Sequence, residues 1–206
     1  MLLALWPSPA FLRRVTEHRC LHVHDSFSSS GEAMRPMTRE EVRGAIVNRD
    51  PAAKRVRLPV WFDDVRWHRI DYLGWRDLRA PKLAYLVTEA DGQALGVLLR
   101  QAPNEAALGS RAVMCDLCRS SRRFNEVSLF TARRPSRDKR ERLNALGLLL
   151  CTDLDCAVKV NAKPIRQGFD LPVDDHVEAR REGLRARTIA FIRSVSDTER
   201  TTRHRR

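Results

Sequence analysis

Cys115-Asp116-Leu117-Cys118 and Cys151-Thr152-Asp153-Leu154-Asp155-Cys156 decide the fold of this chain. A basic stretch, residues 119–150, separates the two pairs. Two thiolates with two residues between them can reach one ion from a single tight turn, and Zn²⁺ takes four ligands in a tetrahedron. Cys115 and Cys118 fit such a knuckle. Cys151 and Cys156 stand too far apart for a second identical turn, but a ligand at the end of a strand and another in the following helix would bridge the step. Four sulfur ligands leave no position for water, so the pattern predicts one closed, structural Zn²⁺ held by Cys115, Cys118, Cys151 and Cys156. A single CxxC reads also as a redox dithiol or as plain buried cysteines. The second pair argues against both, because a redox motif has no need of it.

Composition makes a metal staple useful. Of the 206 residues 31% are charged and only 6% aromatic, a modest supply for a core. The formal charge of +12 favours anionic partners: RNA, DNA or an acidic protein surface. Five cysteines without a secretion signal point to a reducing, cytoplasmic setting. Met1-Leu2-Leu3-Ala4-Leu5-Trp6 is interrupted by Pro7 and Pro9 and lacks a positive n-region. No apolar run approaches the roughly 20 residues of a membrane-spanning helix, so no membrane association is expected.

Outward from the cysteines, the chain divides into a leader (1–33), a folded domain (34–195) whose metal-binding core covers 111–165, and a basic tail (196–206). The leader holds Cys20 among His18, His22 and His24, then a serine run, and reads as disordered or as preceding a true start at Met34 or Met37. Thr38-Arg39-Glu40-Glu41 has capping-box spacing and opens a short helix with Val42, Ala45 and Ile46 on one face. Trp61, Phe62, Trp67, Tyr72 and Trp75 read as core rather than as a base-stacking platform. Residues 83–88 and 95–100 flank Asp91-Gly92 as a β-hairpin, and 101–112 read as a loop. Val127–Thr131 and Leu146–Leu150 are expected strands. Thr152 or Asp153 is expected to cap a helix carrying Cys156 in its first turns. A last helix should run from Asp174 to about Val195, with Val177, Leu184 and Phe191 repeating at seven residues. Glu178 and Glu182 each precede an arginine by three, which predicts an exposed opposite side. The whole is an α+β fold.

Between the cysteine pairs, Arg119, Arg122, Arg123, Arg133, Arg134, Arg137, Lys139, Arg140 and Arg142 outweigh Glu126, Asp138 and Glu141. Each arginine alone reads as a solvated charge; the cluster reads as a binding surface for phosphate or carboxylate. Its candidate contact residues are Phe130, Arg133, Arg134, Arg137, Lys139 and Arg140, with Phe130 open between core and anchor. Enzyme signatures are absent: no P-loop, no Gly-x-Ser-x-Gly, no His-Glu-x-x-His. Asp63-Asp64 read as turn residues, and Asp153 and Asp155 as a helix cap or as support for the metal ligands. No enzyme is predicted.

Several segments occur together, in this order, in a known family: Met34-Arg35-Pro36-Met37-Thr38, Asp71-Tyr72-Leu73-Gly74-Trp75-Arg76-Asp77, Met114-Cys115-Asp116-Leu117-Cys118, Ser128-Leu129-Phe130-Thr131-Ala132-Arg133-Arg134 and the Cys151–Cys156 pair. Over about residues 34–195 the chain resembles the actinobacterial FBP-domain proteins. These are similar to the C-terminal treble-clef zinc-finger domain of elongation-factor-G-binding, fusidic-acid-resistance proteins. The resemblance implies a zinc knuckle, a β-hairpin and a helix supplying the last ligands. It also implies binding to elongation factor G at the ribosome and, in the resistance proteins, release of the drug-stalled factor. The alternative is a zinc-stabilised RNA- or DNA-binding protein that uses the basic connector.

Overall fold

The computed structural model describes residues 34–49, 56–103, 112–136, 144–162 and 173–197. The expected leader, nearly all of the expected tail, and Arg137, Lys139 and Arg140 lie outside the described residues. The first helix, α1 (Arg39–Gly44), starts as its capping box predicts. The Glu41 amide donates to the Thr38 hydroxyl at 3.2 Å, and the Thr38 amide donates to the Glu41 carboxylate at 2.6 Å. That backbone bond from Thr38, followed by Arg35, holds the Glu41 carboxyl below its ordinary range.

Five strands form one antiparallel sheet in the order β1-β2-β3-β6-β7. They are β1 (Leu73–Asp77), β2 (Ala80–Ala90), β3 (Gln93–Gln101), β6 (Val127–Arg133) and β7 (Ala145–Cys151). A small hairpin of β4 (Val113–Met114) and β5 (Ser121–Arg122) stands apart from it. Asp77 turns β1 into β2 by accepting the Arg79 and Ala80 amides on one carboxylate oxygen, at 2.8 and 3.2 Å. The β2–β3 hairpin forms at the expected Asp91-Gly92, with both residues at positive φ (53° and 72°) as a two-residue hairpin turn requires. β7 leads to a short helix, α2 (Cys156–Val160), and α3 (Val173–Ser196) closes the domain.

Period-two alternation gives the sheet two buried faces. On one face Leu73 and Trp75 of β1 and Tyr85 and Val87 of β2 pack under Met34, Met37, Val42, Ile46 and Phe62. Trp75 stacks on Tyr85 with ring centroids 4.8 Å apart, and its indole donates to the Arg57 carbonyl at 2.9 Å. Phe62, Tyr72 and Trp75 are core, as expected of the aromatic cluster, while Trp61 is 41% exposed. The chain after α1 runs parallel beside β3 at Gly96, where the Val47 amide donates to the Gly96 carbonyl and the Gly96 amide to the Ala45 carbonyl, both at 3.0 Å. A Cβ at Gly96 would lie 2.8 Å from Val87 Cγ2 and 2.9 Å from Ile46 Cδ1, so this close approach needs glycine.

On the other face Ala84, Leu86, Val97, Leu99, Phe130 and Leu150 meet α3 through Leu184, Ile192 and Val195. The seven-residue repeat therefore marks the inward stripe, with Leu184 at its centre and Val177 and Phe191 partly buried at its margins. The expected solvated side of α3 needs correction. Arg181 is 5% exposed, and both Arg181 and Arg185 pair with the fully buried Asp71 carboxylate, at 3.3 and 3.1 Å. A carboxylate out of water demands cations, and that demand overrides the intrahelical pairing with Glu178 and Glu182.

Candidate metal centre

The first cysteine pair sits in the loop of the β4–β5 hairpin. Its turn is closed by its own backbone: Cys115 N–H donates to Ser120 O at 3.1 Å, and Arg119 N–H donates to Cys115 O at 2.9 Å. Arg119 makes the reversal at φ 58°. The knuckle docks on β7 through Asp116, whose amide donates to Leu149 O at 2.8 Å while its carboxylate accepts the Leu149 amide at 2.7 Å. From α3, Arg187 Nε donates to Leu117 O at 2.6 Å.

The second pair is built differently. Cys151 is the last residue of β7 and Cys156 the first of α2, the strand-end and helix arrangement that the five-residue step requires. Between them Leu154 takes φ 61°, and its amide donates to Cys151 O at 2.9 Å. This turn delays the helix, so neither Thr152 nor Asp153 caps it, contrary to expectation; the N-cap position falls to Asp155, without a side-chain cap bond. Thr152 is used elsewhere: its amide donates to Glu126 O and its hydroxyl meets Ser128 Oγ, both at 2.9 Å. Burial, then the neighbouring Asp155, pushes the Asp153 carboxyl up to about 6.

The two constructions bring all four sulfurs together. Cys115, Cys118, Cys151 and Cys156 are buried free thiols whose Sγ atoms all lie within 4.8 Å of one another. Cys115 Sγ is 3.6 Å from Cys156 Sγ, and Cys118 Sγ is 3.7 Å from Cys151 Sγ. A disulfide needs about 2.05 Å. Four sulfurs about 2.3 Å from a central zinc define a tetrahedron with edges of about 3.8 Å, so these separations fit the ion. Crowding also splits the thiols. Hydrogen bonding to Cys115 and then Cys151 holds Cys118 far below the ordinary thiol range. Bonding to Cys115 and Cys118 pushes both Cys151 and Cys156 up. At Cys115 the bond to Cys118 pushes upward but is outweighed by those to Cys151 and Cys156, leaving it at about 7. Four sulfurs this close form a donor set for a divalent cation, with thiolate as the metal-binding form.

The expected contact residues divide. Phe130 is fully buried under the Arg76 guanidinium, which lies 5.4 Å from its ring centroid, so its place is the core and not a partner surface. Its position on β6 points it toward the α3 face, and the apolar neighbours there claim it. Arg133 is exposed at the end of β6. Arg134 is tied down, its guanidinium donating to the Asp197 carbonyl. Asp63 lies in a 3₁₀ turn and pairs with Arg39, in keeping with its expected turn role. Among the described residues no helix is long and apolar enough to cross a membrane.

The order of elements is that of a treble clef: knuckle at Cys115–Cys118, hairpin β6–β7, and α2 supplying Cys156. No curated protein and no solved structure matches the chain. The family model for the FBP C-terminal treble-clef zinc-finger matches residues 41–195. The chain belongs to the FBP C-terminal treble-clef zinc-finger family.

Proposed function

We propose that Cys115, Cys118, Cys151 and Cys156 hold one structural zinc ion, and that the stapled domain is a non-catalytic binding module for elongation factor G, acting in translation. The sulfur geometry carries the metal: four buried thiols with separations of 3.6 and 3.7 Å match the edges of a zinc–sulfur tetrahedron. Bound there, the ion supplies a cross-link between a hairpin loop, a strand end and a helix start. With every ligand a cysteine the site is closed, and a closed site does structural work.

Membership of the family over residues 41–195 supports the partner, because the family suggests a role in binding elongation factor G; release of the drug-stalled factor is what the resemblance implies for the resistance proteins. The net charge of +12 suits an acidic protein face. Purified elongation factor G in a pull-down tests the reading. The complex should survive nuclease treatment. Capture lost on nuclease treatment would transfer the reading to an RNA- or DNA-binding protein that uses the basic connector, and no capture at all would sink it.

A further inference from the structure

We infer that Tyr72, just before β1, and Arg76, within it, position the second cysteine pair from outside, holding the Cys151–Cys156 loop ready for the metal; the inference rests on the zinc reading above. The first pair has its own turn closed by backbone bonds from Cys115 to Ser120 and from Arg119 to Cys115, and is docked through Asp116 and Arg187. Within the second pair's loop, one backbone bond, from Leu154 to Cys151, spans the turn, and the Asp155 amide donates to the Asp153 carboxylate at 3.4 Å. Its turning residue is a leucine at φ 61°, a conformation that a branched side chain keeps only when its surroundings hold it.

Those surroundings are β1. The Tyr72 hydroxyl donates to the Leu154 carbonyl at 3.0 Å, in full burial. Arg76 Nε donates to the Thr152 carbonyl at 2.9 Å. Between them Gly74 lets the strand lie against the loop: a Cβ there would stand 3.1 Å from Leu154 Cβ. Arg76 is itself fixed, donating to Pro81 O at 2.6 Å and Gln101 Oε1 at 2.8 Å. Gln101 passes the support on, donating to Ser128 Oγ at 2.8 Å, and Ser128 meets the Thr152 hydroxyl. Two carbonyls between Cys151 and Cys156 are thus held from one distant segment, β1 and the residue before it. Both carbonyls belong to the loop between the ligands, so the two side chains fix the backbone that sets where Cys151 and Cys156 stand, and outer partners that orient the ligands set how tightly a metal is kept.

The test uses the full-length protein. Its zinc content is measured first, and then the rate at which zinc passes to excess EDTA for wild type, Tyr72→Phe, Arg76→Met and Trp75→Phe. The last removes a side-chain-to-backbone hydrogen bond from the opposite face of the same strand and controls for general loosening. Tyr72→Phe and Arg76→Met should release zinc about 10- to 100-fold faster, while Trp75→Phe stays at the wild-type rate. With cobalt in place of zinc, the thiolate-to-metal absorption of the first two should shift. Zinc-loaded wild type with unchanged release in both variants, or equal acceleration by Trp75→Phe, overturns the positioning role alone. Wild type without zinc overturns the metal reading and this inference with it.

Discussion

The two faces of the sheet are stabilised by different means. Under α1 the packing is apolar and aromatic: Trp75 on Tyr85, with Met34, Met37, Val42, Ile46 and Phe62 around them. Under α3 the same sheet meets four thiols, a fully buried Asp71 and the guanidinium of Arg181. The first face stands on burial, which grows with area and needs no ligand. The second contains polar groups that cost free energy unless each finds its partner. The comparison teaches that a small, charge-rich chain can close one side of a sheet with hydrocarbon and aromatic packing and the other with hydrocarbon plus thiols and a buried ion pair. The second side is then the one that depends on conditions.

The largest effect should follow Cys118→Ser. It removes one of the four sulfurs, abolishes zinc retention and unfolds residues 111–165, where structural zinc in small fingers contributes on the order of 10 kcal/mol. An unchanged melting profile would contradict this. Next, Asp71→Ala takes the carboxylate from the buried Arg181 and the half-buried Arg185, and denaturant unfolding should show a loss of about 3–5 kcal/mol. On the apolar face, Gly96→Ala forces a methyl group against Val87 and Ile46 and should cost about 1–3 kcal/mol. Because the four cysteines lie on the other face, the folded fraction of Gly96→Ala should keep the wild-type zinc content; a loss of zinc would break the distinction between the faces. The smallest effect, about 1 kcal/mol by thermal melting, belongs to Thr38→Ala, which removes the cap of α1. The Glu41 half of that cap carries a lowered pKa, so its contribution is present at neutral pH and fades as pH falls through the carboxylate range.

Local chemistry was legible where it closes on itself. Thr38 and Glu41 are three residues apart, Asp91-Gly92 permits only a few turns, and two cysteines around two residues make a knuckle. What escaped the sequence was settled by partners far along the chain. β1 was not anticipated, because Leu73-Gly74-Trp75-Arg76-Asp77 carries a glycine and a charge at the alternate positions, and both face the cysteine loop. Arg181 and Arg185 read as solvated from their spacing to glutamates, yet their partner is Asp71, across the sheet. The α2 helix starts at Cys156 and not near Thr152, because a leucine in the left-handed region makes a turn that no glycine announced. Phe130 could have been core or contact, and its depth on β6 made it core.

The central claim is that the two cysteine pairs form one structural metal site. Metal analysis of the purified full-length protein, together with free-thiol counting after denaturation, tests it most directly. The account predicts one zinc per chain, retained through dialysis at neutral pH and lost on acidification as the thiolates protonate, with Cys115, Cys118, Cys151 and Cys156 all reduced. A chain without zinc, or one with these cysteines joined as disulfides, would contradict it.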